Sequence, residues 1–128
     1  MTTSLTEGQD AALTSEPAGV SPISLLEAIR SKGRVWEDLA AQYGVTNPDP
    51  PWKLSMFSTC EALAVHDCLG TLERRASEDD LSETLYRDIP QPERQLLALA
   101  HTMIQRGLVD EQELARRVKQ VHERLTSA

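Results

Sequence analysis

Apolar residues recur at helical spacing along most of the chain, and the gaps between them mark the elements. Ser21-Pro22 reads as a helix start, with serine at the N-cap and proline at the first helical position. Leu25, Leu26 and Ile29 continue that helix, Gly33 weakens it, and Trp36, Leu39, Ala40 and Tyr43 take the pattern up again. The spacing predicts one interrupted helix or two short ones between 22 and 43, closed by Gly44. VTNPDPP, with prolines at 48, 50 and 51, forbids helix and predicts an extended crossing to Trp52. The next helix should begin near Ser55 or Ser58, because Ser58-x-x-Glu61 has the form of a capping box. Phe57, Cys60, Ala64 and Cys68 would line one face, with Met56 and Leu63 beside them and Gly70 at the end. Thr71 can then cap a short helix holding Leu72, Arg74 and Arg75.

SEDDLSETLYRDIPQP reads as a polar, irregular connection. Pro92 restarts a helix in which Leu96, Leu97, Ala100, Met103 and Ile104 are apolar and Gly107 stands at the C-terminal cap. The last helix carries the clearest signal: Asp110-x-x-Glu113 forms a capping box, and Leu114, Val118, Val121 and Leu125 keep an unbroken stripe. Strand-like alternation is absent, so the pattern predicts an all-α fold.

At 128 residues the chain has room for one small domain and a tail. Residues 1–20 are small, polar and acidic and read as a disordered N-terminal tail. Residues 21–51 form a helical arm with a proline-rich linker, and 52–128 the main helical domain. A net charge of −7 argues against a nucleic-acid binder, which needs a basic patch to displace counterions. No apolar run approaches the roughly 20 residues of a membrane span. The start MTTSLTEGQD lacks the basic and apolar parts of a signal peptide, so the expected location is cytoplasmic. Cys60 and Cys68 read as free thiols; on one helix they would stand about 12 Å apart, too far for a disulfide.

The stretch from Trp52 to Arg75 reads as a surface to be buried against another protein, with a paired cation at its edge. Cys60, His66 and Cys68 are metal-ligand types, but a zinc site needs a fourth ligand and a tight Cys-x-x-Cys knuckle. They read as structural cysteines with a surface histidine, and no metal is assigned to this chain. His101 and His122 read as helix-face histidines without a paired acid or nucleophile nearby. Glu78-Asp79-Asp80 lacks the spaced ligands of a calcium loop and reads as a solvated loop. Arg74-Arg75 has two readings. Cations favour the last turn of a helix by about 0.3–1 kcal/mol; alternatively one or both guanidiniums reach an anion on a partner through charge-assisted hydrogen bonds. No catalytic apparatus is visible in this chain alone.

WKLSMFSTCEALA, then LERRA, then LYRDIPQPERQLLALAHTMIQRGLVDEQEL resemble the helical N-terminal region of the nitrile hydratase beta subunit. The likeness is closer still to the separate small beta subunit of thiocyanate hydrolase, a three-subunit member of the same superfamily. It covers residues 52–125 and rests on the run Phe57–Ala64, the double arginine, and the spacing of Tyr86, Pro90 and Arg94; residues 1–51 match poorly.

The resemblance implies a non-corrin cobalt(III) or iron(III) held by an alpha-type subunit in a Cys-x-x-Cys-Ser-Cys claw, two of whose cysteines are oxidised to sulfinic and sulfenic acids. Beta-type arginines hydrogen-bond those oxygens, and Arg74 and Arg75 match them by alignment. Trp52, Phe57, Cys60, Tyr86 and Arg94 are the implied partner-interface residues. Cys60 and Cys68 have the wrong spacing for the claw, so this chain binds no cofactor of its own. The chain stops at Ala128, where the two-subunit beta chain continues into an SH3-like barrel. Within the resemblance this favours a hetero-oligomer of three polypeptides: this chain, an alpha-type metal subunit and a barrel subunit. The implied function is the beta-type subunit of a three-subunit nitrile hydratase, such as the toyocamycin type, a lyase that hydrates a nitrile to an amide. The alternatives are a thiocyanate hydrolase beta subunit, an activator that delivers the metallated alpha subunit, and an unrelated helical adaptor.

Overall fold

The computed structural model describes residues 21–46 and 49–126; the proposed tail over 1–20 and Asn47-Pro48 of the linker lie outside the described residues. Among the described residues there are six helices and no strand: α1 (Ser24–Ser31), α2 (Trp36–Tyr43), α3 (Lys53–Val65), α4 (Thr71–Glu83), α5 (Glu93–Gln105) and α6 (Glu111–Thr126). No helix of the described residues is long and apolar enough to cross a membrane.

Helix α5 is the centre of the packing, because its apolar residues go right round it instead of forming one stripe. Leu97 and Ala98 join Leu26 of α1, Leu81 of α4 and Tyr86 in one buried cluster. Leu99 joins Met56 and Cys60 of α3 in a second, with Trp52, Leu63 and Met103 packed against it. A helix that is apolar on opposed faces has to be covered on both, and α1 and α4 cover one side while α3 covers the other.

The first two helices lack a local side-chain cap: their N-caps are Ile23 and Val35. Carboxylates from distant helices replace it. The Leu25 backbone N–H donates to Glu111 Oε2 of α6 at 3.0 Å, and that of Trp36 to Glu93 Oε2 of α5 at 2.5 Å. Each carboxylate satisfies an orphan donor and meets the positive end of the helix dipole. The predicted Ser21 cap is thus replaced by a tertiary one. Gly44 and Gly107 both take the left-handed conformation predicted for them, at φ 70° and 74°. The Leu108 N–H reaches back to Met103 O at 2.9 Å, closing α5. Asp110 Oδ2 accepts the Glu113 N–H at 2.9 Å, half of the predicted capping box; the Glu113 carboxylate turns to Arg116 instead of returning to Asp110.

Two expectations are corrected. Helix α3 begins at Lys53, so Ser58 and Glu61 lie inside it and form no capping box, and it ends at Val65, before Cys68. The segment read as an irregular acidic loop is helical as far as Glu83, so Arg74 and Arg75 sit in the first half of a 13-residue helix. What the hydrophobic pattern missed is that Leu81 is buried, and a single buried leucine carries the turn that an apolar count overlooks.

His101 stands on a helix as expected, on the inward face of α5. It is 1% exposed and lies 2.8 Å, through Nδ1, from the hydroxyl of Tyr86, which is 0% exposed. The rings meet edge to face, with centroids 5.7 Å apart. Burial, helped by the Glu27 charge and opposed by Arg30, pushes the Tyr86 phenol well above its ordinary range, so it keeps its proton and can donate to Nδ1. Tyr86→Phe should cost about 1–3 kcal/mol in urea denaturation, because it strands a buried imidazole nitrogen. The pH dependence has a fixed sign. Above the ordinary phenol value of 10.0 the unfolded chain releases a proton that the folded chain keeps, so stability falls. The gap between wild type and Tyr86→Phe should therefore narrow as pH rises beyond that value.

Candidate functional site

Arg74, Glu78 and Leu81 occupy positions i, i+4 and i+7 of α4 and share one face of the helix. Leu81 pulls this face into the core, and the two charged residues go with it: each is 8% exposed. They survive there by pairing, Arg74 Nη1 to Glu78 Oε2 at 2.8 Å. A buried ion pair is tolerated only when the charges meet and their hydrogen bonds are made. One is not: Arg74 Nε is enclosed without a hydrogen-bond partner among the described residues.

Arg75 lies about 100° further round the helix and is exposed. It stands at the rim of a cleft of about 440 Å³ between α3 and α4, lined by Phe57, Cys60 and Glu61 from α3, Arg74 and Arg75 from α4, and Gln95 from α5. Lys53 sits over the Phe57 ring at 5.6 Å from its centroid, and Phe57 presents the rest of its ring to solvent. The cleft thus has an apolar wall, a buried ion pair at its base and an exposed guanidinium at its edge.

Cys60 belongs to the base. Burial pushes its thiol up, and the nearby Arg74 guanidinium only partly opposes this. A protonated, enclosed thiol is a poor nucleophile and packs as a small apolar group. Cys68 is free and exposed beyond the end of α3. Among the described residues no group of three His, Cys, Asp or Glu side chains is placed to hold a metal ion.

Of the residues singled out in the sequence, Phe57, Cys60, Arg74 and Arg75 converge on this cleft. Trp52 does not; it separates two apolar grooves of about 200 and 290 Å³. Arg94 donates its Nε–H to the Ile89 carbonyl at 2.7 Å and fastens the turn leading into α5. Tyr86 is corrected outright as an interface residue: wholly enclosed by its own chain, it has no surface to offer a partner. Sequence reasoning missed Glu78 and Gln95. The i, i+4 spacing of Arg74 and Glu78 was the available signal, since oppositely charged residues four apart are neighbours on a helix.

The comparisons with known proteins bear on the family of the chain. The family described as the nitrile hydratase beta subunit, N-terminal, matches residues 36–128, so the likeness begins at α2, earlier than the Trp52 start set by the motifs alone. The thiocyanate hydrolase beta subunit of Thiobacillus thioparus is 32% identical over 77 residues, which are 59% of this chain and 49% of that protein. The chain therefore spans about half the length of that relative. No solved structure matches it. With the family's pattern running from α2 through the cleft to the last helix, the chain belongs to the family of nitrile hydratase beta subunits, by way of their N-terminal helical domain.

Proposed function

We propose that the chain is the non-metal-bearing beta-type subunit of a three-subunit nitrile hydratase, presenting Arg75, with Arg74 behind it, to oxidised cysteine ligands on an alpha-type partner. The observation that carries this reading is the unequal placement of the two arginines: one locked to Glu78 at the base of a cleft, the other exposed at its rim. An exposed guanidinium is a planar fork of donors that matches a pair of anionic oxygens, and a neighbour already fixed in place limits how the fork can lie.

The donor set fits this role and not that of metal ligand. Cys60 is enclosed and has no second cysteine beside it, whereas the exposed Arg75 guanidinium offers its donors at the rim of the cleft. The partner's cobalt(III) or iron(III) would supply the Lewis acidity that opens a C≡N carbon to water. This chain's part is to hold the oxidised sulfur oxygens anionic and in one orientation through Arg75, and to keep water off one side with Phe57. The assembly is a hetero-oligomer with the alpha-type subunit and an SH3-like barrel subunit. The identity to a thiocyanate hydrolase beta subunit favours a second reading in which the same assembly takes thiocyanate. The arginine chemistry is the same in both, since each substrate presents a C≡N carbon.

Two outcomes separate the arginines. In the complex purified with its metal-bearing partner, Arg75→Lys should leave assembly intact and lower kcat about 10- to 100-fold, the worth of one hydrogen bond to a charged group at about 1.5–3 kcal/mol. Full activity in that variant removes the role assigned to Arg75. Arg74→Ala should instead destabilise the isolated chain by about 3–5 kcal/mol, because Glu78 is left buried and unpaired. Arg75→Ala should leave the Tm of the isolated chain within a degree or two of wild type, as expected for an exposed residue.

A further inference from the structure

Helix α3 is apolar on the side that faces away from the core as well as on the side that faces it. Met56 and Cys60 are buried against Leu99 of α5. Phe57 and Val65 of the same helix are 44% and 72% exposed, and Leu72 at the start of α4 is 84% exposed. Single exposed aliphatics are ordinary on a protein surface, so what matters is where these three stand. Phe57, Glu61 and Ala64 line the cleft from α3, with Cys60 toward its base. Val65 lies about 80° round the helix from Phe57, at the edge opposite Cys60. Helix α4 repeats the order: Thr71 and Glu78 line the cleft, Arg74 lies at its base and Arg75 at its rim. Leu72 lies about 60° beyond Arg75, on the side away from Arg74. Each wall thus runs from a buried base, through a rim, to an apolar lip. The turn over residues 66–70 joins the two helices at the end where Val65 and Leu72 stand.

This placement decides what covers the lips. An anion held by Arg75 has to come in over the rim, so the surface that carries it must also lie on Val65, Leu72 and the exposed edge of Phe57. Glu61, exposed on the α3 rim, meets the same surface and asks for a hydrogen-bond donor on it. An aromatic ring and aliphatic side chains grouped around an arginine have the make-up of an interface core.

We propose that Phe57, Val65 and Leu72 form an apolar collar on which the metal-bearing subunit docks, closing water out from around Arg75 as it does so. This rests on the role proposed for Arg75, which brings the partner to the cleft. Burying the collar lowers the local dielectric, and a hydrogen bond between charged groups is stronger where water is excluded. Three uncharged side chains therefore tie assembly to the arginine's chemistry.

The test titrates the fluorescently labelled full chain with the purified neighbouring polypeptide that carries the Cys-x-x-Cys-Ser-Cys claw, and reads Kd by anisotropy. Leu72→Asp and Val65→Asp should each weaken binding at least about tenfold. The neutral Leu72→Ser should weaken it as well, which separates loss of apolar surface from a carboxylate placed beside Arg75. Leu72→Met, which keeps the apolar surface, should bind as wild type does. Leu125→Asp changes a leucine that is 73% exposed on α6, a helix that does not line the cleft. It should stay within about twofold of wild type. All these positions are exposed, so circular dichroism of the isolated variants should show the wild-type fold. Wild-type affinity in the collar variants, or an equal loss in Leu125→Asp, overturns the collar and leaves the role of Arg75 standing. A dimer of this chain that Leu72→Asp dissociates also overturns it, by assigning the collar to a second copy. A wild-type chain that does not bind the claw-bearing polypeptide overturns the collar and the role of Arg75 together.

Discussion

Helix α5 has apolar side chains on opposed faces, and enclosing it arranges the rest of the described chain. Ala98 is fully buried, so neighbouring helices come close to its backbone there, while Leu97 and Leu99 on either side of it reach into two different clusters. Burying a leucine side chain is worth about 1.5–3 kcal/mol, and the two clusters can both form only if α4 and α3 lie on different sides of α5. The charged contacts follow this arrangement and refine it: Arg106 at the end of α5 reaches Glu73 near the start of α4 at 2.6 Å, which suits two helices running antiparallel. Glu93 from the first turn of α5 holds the first residue of α2. Even the arm that precedes the main domain is thus fastened to the same helix.

That packing is also what distinguishes Arg74 from its neighbour. Once Leu81 is drawn against α5, the residues one and two turns before it on α4 must enter the interior, and these are Glu78 and Arg74. Adjacent residues on a helix point about 100° apart, so Arg75 stays outside for the same geometric reason that Arg74 goes in. The chain obtains a fixed cation backing an exposed one without any motif beyond two consecutive arginines and a glutamate four residues on. Cys60 completes the enclosure from α3, and its burial explains why a cysteine in this position behaves as a packing group.

The sequence made the helical class legible, along with the ends of the helices that carry strong local signals: Gly44, Gly107 and Asp110 act where their chemistry says they should. It was misleading where tertiary burial overrides local preference. Ser58-x-x-Glu61 satisfies a capping pattern, yet the helix was already under way from Lys53. The run from Ser77 to Glu83 has almost no apolar character, and its helical state is decided by Leu81 and by the ion pair one turn earlier. Tyr86 and His101 are separated by 15 residues, and no spacing rule links them; only the closure of α4 on α5 brings the hydroxyl to the imidazole. The cleft was half legible. Phe57, Cys60 and the arginines stand out as a group, but Glu78 lies in an acidic run whose pattern shows nothing of the helix that internalises it.

The role proposed for Arg75 needs a second chain that brings oxidised metal ligands to the cleft. The most direct measurement is co-expression of this chain with the polypeptides encoded beside it, followed by size-exclusion chromatography and metal analysis of the purified material. The account predicts a stable assembly of fixed stoichiometry that contains this chain and carries cobalt or iron. Elution of this chain alone, with the metal found only in fractions that lack it, would contradict it.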